Sequence, residues 1–293
     1  MPTSDLFVLI FVWIDELLKG HPEILNRPGP QPVITDAELL TLMLVQALSG
    51  EISDESWLRK VQRHHADFFP ILPERSRYQR RRAILQRAHG LIVERVRIAL
   101  GEPERLRIVD SAPIPVCRLV RGNRCKTFQK EASWGWSEAQ KTWFFGVRLH
   151  LMITESGLPA AFDVLTAKRH DRKGLDSLLA GRADLDVYGD AAYNVRSKDR
   201  EDFQKHGITI TAATKSNMEP LTLRQQRTLK RVRFQVEKTI GHLSQVFLIQ
   251  RTLARKLRTL KQRLSFCLTG FCVGAWINAQ LERPVFHIKS LAA

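Results

Sequence analysis

Through the first hundred positions the apolar residues recur every three to four places, the spacing of a single buried helix face. Helices are predicted over Ser4–Lys19, Asp36–Ser49, Asp54–His65 and Ser76–Leu100. The second opens on Thr35-Asp36-Ala37-Glu38. A hydroxyl and a carboxylate three residues apart can each accept from a backbone N–H that the first helical turn leaves unbonded. The Pro- and Gly-rich stretch Arg27–Pro32 separates the first two helices. After Gly101 the period shortens. Leu106-Arg-Ile-Val109 reads as a strand ending on Asp110, and Trp143–Thr154 and Pro159–Leu165 as a hairpin around Glu155-Ser156-Gly157. A helix follows over Gly174–Leu179, then a strand over Leu185–Gly189 that ends on Asp190. Beyond it come a helix at Arg196–Lys205, a strand at Ile208–Thr211 and a long helix at Leu223–Gln250.

Three strands, then helix, strand, helix, strand, helix, is the order of a ribonuclease H-like α/β domain with a mixed sheet. The expected division is therefore a helical region over 1–100 and an α/β domain over 101–293 that ends in C-terminal helices. Neither apolar run reads as a membrane span. Leu6–Ile14 has no basic residue before it and runs into Asp15 and Glu16, so it reads as a buried helix face. Leu264–Leu281 is interrupted by Ser265, Thr269, Asn278 and Gln280 and reads as a core helix.

Composition adds one constraint. Hydrophobic residues at 44% and charged residues at 26% exclude a disordered or collagen-like chain. The four cysteines form no CxxC, which excludes a metal finger of that spacing. Lys plus Arg total 46 against 30 acidic residues, a net charge of +16 that favours a polyanion, nucleic acid before an anionic membrane. The cations cluster. Arg75, Arg77, Arg80, Arg81, Arg82 and Arg87 surround Tyr78 with no acid interleaved from Arg75 to Arg87, either a phosphate-contacting face or a solvated helix side. Arg121, Arg124, Lys126, Lys130 and Lys141 accompany Trp134, Trp136 and Trp143, which either stack on bases or pack over the sheet. The run Arg251, Arg255, Lys256, Arg258, Lys261, Arg263 has no acid among its neighbours and reads as tracking phosphates.

The strand ends give the carboxylates meaning. In an open α/β sheet, sites gather at the carboxyl ends of strands, where Asp110 and Asp190 are expected to meet. Glu237 lies beside the face made by Val236, Ile240 and Leu243 on the last long helix, where a carboxylate can lean over the sheet edge. Taken singly, each has a plainer reading: Asp110 as a turn former, Asp190 as a helix cap, Glu237 as the surface partner of Lys238 or Arg233. Together they suit phosphodiester chemistry. Two Mg²⁺ ions (Mn²⁺ as a substitute) about 3.5–4 Å apart can clamp the attacking and departing oxygens, and such ions take oxygen ligands. Asp110 is expected to bridge both ions, with Asp190 and Glu237 on one each.

Ile108-Val-Asp110-Ser111, Val187-Tyr-Gly-Asp190-Ala-Ala-Tyr193 and Arg233-Phe-Gln-Val-Glu237 resemble the three acidic motifs of the DDE transposases of bacterial insertion sequences. The wider pattern is most similar to the insertion-sequence nine-eight-two family. Pro115-Val-Cys-Arg through Lys126-Thr-Phe128 matches its basic segment, and Trp143-Phe-Phe-Gly146-Val-Arg-Leu-His150 its aromatic phrase. Asp171-Arg172 and Lys215-Ser-Asn217-Met218 match two further phrases. The likeness spans about residues 5 to 282, and its strength lies in the order of short motifs.

The resemblance implies an enzyme that binds the inverted repeats of its element, cuts there with divalent metal and joins the ends to target DNA. Double-stranded DNA is the implied partner, a homodimer the implied assembly, and the bacterial cytoplasm, at the nucleoid, the implied location, with no membrane. Arg233 is the expected phosphate clamp, and Lys238 a further DNA contact. The Tyr and Lys that some related families carry around this motif are replaced by Lys230 and Ser244. His150, His170, Asp171 and His242 are expected to support the site from behind, although a strand histidine such as His150 more often simply packs. Two alternatives stay open: a metal-dependent nuclease of the same fold, and a non-catalytic DNA-binding regulator.

Overall fold

The computed structural model describes residues 1–25, 32–103, 105–169, 171–214 and 220–291. His170, the Lys215–Met218 phrase and most of the Arg27–Pro32 stretch lie outside the described residues. The chain forms two compact units: residues 1–100 with 242–254 and 258–293, and residues 101–241 with 255–257. The C-terminal helix thus groups with the first hundred residues, and not with the catalytic region where the sequence placed it.

The first unit is helical: α1 (Thr3–Lys19), α2 (Asp36–Leu48), α3 (Asp54–His64), α4 (Arg75–Leu85), α5 (His89–Ala99) and most of α9 (Leu257–Gln280). α1 buries Leu6, Phe7, Ile10, Ile14 and Leu17 at helical spacing. α2 is apolar around most of its circumference and buries every position from Leu39 to Leu48. Such a helix needs neighbours on more than one side, and α9 is one of them: Gly270 and Gly274 sit against Ala47 and Leu48. This mutual burial is the physical reason why α9 belongs here. Among the described residues no helix is long and apolar enough to cross a membrane. Thr35 and Glu38 form the expected capping box. The single helix expected over 76–100 is instead α4 and α5, divided by a 3-10 turn at Gln86–Ala88.

The second unit is a mixed six-stranded sheet with helices. Its strands are β1 (Leu106–Pro115), β2 (Ser133–Ser137), β3 (Thr142–Thr154), β4 (Pro159–Thr166), β5 (Asp186–Gly189) and β6 (Thr209–Ala212). Its helices are α6 (Asp171–Leu179), α7 (Ser197–Gln204) and most of α8 (Leu223–Gln245). β1 lies between β3, antiparallel, and β5, parallel, and β6 extends the parallel side. The other edge of β3 is shared by β4 and β2. Beneath β1, β5 and β6 a core of Val109, Met152, Leu175, Leu178, Val187, Tyr193 and Ile210 fixes the sheet against its helices.

β1 does not end on Asp110, as the sequence suggested; it runs on to Pro115. Parallel pairing with β5 stops at Ile108, so beyond that point one edge of β1 has no strand partner among the described residues. The Val116 N–H bonds to Phe145 in β3 at 3.0 Å. By alternation, Pro113 and Pro115 turn their nitrogens to the open edge, where a missing N–H costs nothing. At the far end Gly146 opposes Pro115, and a methyl group at Gly146 would overlap the Ile114 carbonyl. Gly146→Ala is expected to push β1 and β3 apart and to destabilise the protein by about 1–3 kcal/mol, the usual range for overpacking. An unchanged urea midpoint would show that the strands tolerate the separation.

Candidate active site

Asp110 stands on β1 two residues past the last parallel pair, and Asp190 directly follows β5. The two line one cleft with Ile108, Gly189 and, from α8, Leu229, Val232, Arg233 and Val236. Each aspartate is held from one side. The Ser111 N–H donates to Asp110 Oδ1 at 2.7 Å, and the Ala192 N–H to Asp190 Oδ1 at 2.9 Å. Each Oδ2 has no hydrogen-bond partner among the described residues. Asp190 is thus the cap of the turn Ala191–Tyr193, its plain reading, while its side chain still lines the cleft. Asn194 ties that turn down by donating to the Ala213 carbonyl at 2.7 Å.

Burial pushes the Asp110 carboxyl up to about 7 against the Ser111 N–H; Asp190 and Asp171 push the same way, and Arg233 opposes them. The sign of its linkage to folding follows. Between about pH 4, where an unfolded aspartate ionises, and about 7, the unfolded chain releases this proton while the folded one keeps it. Folding therefore weakens as the pH rises through that window, and no further above it. Asp110→Asn keeps the neutral shape. Without metal it is expected to be more stable than wild type at pH 8, by roughly 1–3 kcal/mol, and nearly equal at pH 4. Melting temperatures at the two pH values check this, and a variant less stable at pH 8 would contradict it.

The third carboxylate is placed differently. Glu237 lies one turn beyond Arg233 on the exposed side of α8, 3.9 Å from the Arg233 guanidinium, with 63% of its side chain accessible. It does not line the cleft. Among the described residues no group of three His, Cys, Asp or Glu side chains is arranged to hold a metal ion. The two aspartates nevertheless suit one. Their oxygens are the hard ligands that Mg²⁺ and Mn²⁺ prefer. A cation would also offset the like charge that helps keep Asp110 protonated.

Behind Asp110, on the opposite face of the sheet, lies a polar network. By strand register Ser111 opposes His150, and Asp110 opposes Leu151. His150 is fully buried, its Nδ1 is 3.4 Å from the Tyr193 hydroxyl and 3.9 Å from Asp171, and its Nε2 has no hydrogen-bond partner. Burial, with Arg148 nearby, lowers it to about 4, so it stays neutral. Arg148 donates to Ser111 Oγ at 3.3 Å and lies 3.8 Å from Asp171. His150 and Asp171 therefore lie behind β1 and do not line the cleft. His242 belongs to the helical unit, against Phe271. Ser111, Arg148 and Tyr193 were missed as site residues. The signal for Tyr193 was its spacing, an aromatic three residues after Asp190 that closes the turn.

The cationic residues sort by partner. Arg82 is buried, with its guanidinium 2.7 Å from Asp54, and Arg81 pairs with Asp36, so neither can serve as the DNA contact expected of it. The acids that neutralise them come from α2 and α3, outside the local run. Arg75, Arg77 and Arg80 remain exposed, Arg75 lying 3.6 Å from Glu55. Arg121, Arg124, Lys126 and Lys238 are exposed, and Lys141 is 2.8 Å from Glu138. Trp134 packs edge-on against Phe145 at 5.5 Å. Trp143 meets Trp136 at 5.6 Å but leaves more than half its surface open.

Residues 100–257 match a family model described as a transposase DDE domain. No curated protein matches the chain.

Proposed function

The chain belongs to the transposase DDE-domain family, and on that premise we propose that it binds the terminal inverted repeats of an insertion sequence, cuts the element ends and joins them to target DNA. In this reading the second unit is a ribonuclease H-like catalytic domain and the element is of the nine-eight-two type. The observation that carries the reading is the meeting of Asp110 and Asp190 in one cleft under Arg233. Asp110 and Asp190 would hold divalent metal in the cleft, and Glu237, which does not line the cleft in the free protein, would complete a two-ion site from the next turn of α8 when DNA is bound. Such ions, when bound, acidify an attacking water or 3′-hydroxyl and offset charge on the departing oxygen.

The protein's own groups do the rest. Arg233 reaches a phosphate at the cleft mouth, where a guanidinium can make two parallel bonds to its oxygens. The Ser111–His150–Asp171–Arg148 network holds β1 in place, so that Asp110 needs little reorganisation when substrate arrives. Arg75, Arg77, Arg80, Arg121, Arg124, Lys126, Lys141 and Lys238 supply phosphate contacts along a duplex, which position DNA without reading its sequence. Two copies of the chain would bring the two ends together.

The test is the product. Purified protein, labelled element-end duplex, unlabelled target and Mg²⁺ or Mn²⁺ are expected to yield nicks at the element boundary and then strand-transfer joints. Nicks without joints would favour a nuclease. Binding without cleavage in any metal would favour a regulator.

A further inference from the structure

β1 carries Asp110 and then leads out of the sheet. The next chain segment forms a 3-10 turn, Leu119–Arg124. The turn is firmly seated. Gly122 is buried so close to the Trp134 indole that a methyl group there would overlap the ring. Asn123 Oδ1 accepts from the Trp134 indole N–H at 3.0 Å. With its inner side fixed in this way, the turn presents its outer side to solvent. Leu119 is 47% exposed and Val120 is 90% exposed.

Single exposed aliphatic residues are ordinary. These two are adjacent, stand on a braced turn and are flanked along the chain by exposed cations. Arg118, Arg121, Arg124 and Lys126 are all exposed, and the sequence holds no Asp or Glu from Ser111 through Lys130. A patch that is apolar at its tip and cationic around it is poorly matched to an ordinary protein surface, and well matched to duplex DNA. Proteins that kink a duplex use this pairing: an apolar wedge parts a base step from the minor groove while Arg and Lys hold the phosphates and the groove walls.

We infer that Leu119 and Val120 form a wedge that enters the minor groove and kinks the duplex, with Arg118, Arg121, Arg124 and Lys126 holding the phosphates on either side. The inference rests on the reading of the chain as a DNA-processing enzyme and adds to it a specific contact. From Asp110 to Pro115 the strand covers about 17 Å at the usual rise per residue. The wedge therefore acts on DNA flanking the scissile phosphate, and the kink turns that DNA relative to the cleft.

The test uses the full chain in metal-free buffer and a duplex carrying the terminal repeat, with a donor and an acceptor dye at its two ends. Wild-type protein is expected to raise energy transfer as the duplex bends. Leu119→Ser/Val120→Ser is expected to bind with an unchanged salt slope and to lose most of that rise, while Leu119→Met/Val120→Ile keeps it. Arg121→Ala/Arg124→Ala is expected to flatten the log–log salt dependence by about 1.8, at about 0.9 per phosphate contact. Both altered apolar positions are exposed, so circular dichroism melts should match wild type. Bending by the serine variant equal to wild type would overturn the inference while leaving the function intact. So would a serine variant whose only change is a smaller assembly by light scattering, because the tip would then contact protein. Absence of DNA binding by wild type would overturn the function and the wedge together.

Discussion

Asp110→Asn and Asp190→Asn proteins will bind element-end DNA as wild type does, and cleavage will fall on the order of a thousandfold. The magnitude follows from what the pair does. On the proposed function, cations held on these oxygens would stabilise charge on the transferring phosphoryl group by several kcal/mol, and each 1.36 kcal/mol is about a factor of ten in rate. An amide keeps the hydrogen bond from Ser111 or Ala192 but removes the negative charge that would hold a cation. Binding is expected to be spared because Arg233 is untouched in the cleft and the other cations proposed to meet phosphates do not line it, and because removing a carboxylate lowers repulsion toward DNA. Asp110→Asn should also be the more stable protein without metal at pH 8, so its inactivity cannot be ascribed to unfolding. Gel shift and single-turnover cleavage on one preparation check both halves. Cleavage within tenfold of wild type would remove that residue from the catalytic set.

The second large effect is on stability. Arg82→Ala is expected to destabilise the protein by about 3–5 kcal/mol, the range for breaking a buried ion pair from one side. Arg82 donates to Asp54 through both terminal nitrogens, at 3.1 and 2.7 Å, and to Gln46 Oε1 at 3.1 Å, and its guanidinium carbon lies 5.0 Å from the centre of the Tyr78 ring. Tyr78 donates to the same Gln46 oxygen at 3.0 Å. Burial raises the Asp54 carboxyl, but Arg82, Gln79 and Gln46 outweigh it and hold the group below its ordinary value. The stabilisation is therefore present at neutral pH and is lost as the pH falls through the acid range. Arg82→Leu/Asp54→Leu should recover much of the loss, since no charge is then left unpaired. Urea midpoints at pH 7 measure both variants. A single variant within 1 kcal/mol of wild type would show that water or another group takes over the pairing.

Arg82 also shows where the sequence stops being legible. The local run from Arg75 to Arg87 contains no acid, so every arginine in it looked free for phosphate. The neutralising partners, Asp36 and Asp54, come from helices packed alongside, and nothing in the spacing of a single helix reveals them. The break between α4 and α5 was hidden for a related reason. Tyr78, Arg82, Leu85, Ala88, Ile92 and Val96 keep one buried stripe across the 3-10 turn, and only Gly90 hints at a weak point.

The helices themselves were legible because amphipathic spacing is local, and so was the capping box at Thr35. Strand β1 was read short because Pro113 and Pro115 look like breakers until it is known that one edge of the strand is open. β2 was missed: Ser-Trp-Gly-Trp-Ser alternates, but over only five residues with a glycine at its centre, too short a run to mark a strand before its partner in β3 is known. α8 was read long because Val246, Phe247 and Ile249 continue an apolar pattern, yet the backbone turns at Leu248, which takes a positive φ of 49°.

At the site, chain order brought Asp110 and Asp190 into one expectation, and strand ends are where such residues converge. Glu237 was recognisable as a motif, but which side of α8 it occupies depends on how the helix rolls on the sheet. Of the network behind β1, His150 and Asp171 were anticipated, but Ser111, Arg148 and Tyr193 were not, because they join it only once strand register is set.

The most direct test of the central claim is a manganese titration of metal-free protein, with free Mn²⁺ followed by electron paramagnetic resonance. Wild type is expected to deplete the free-ion signal, and Asp110→Asn and Asp190→Asn to leave it close to that of buffer alone. Equal uptake by all three proteins would mean that the ion sits elsewhere, and that the cleft between β1, β5 and α8 is not the metal-dependent centre.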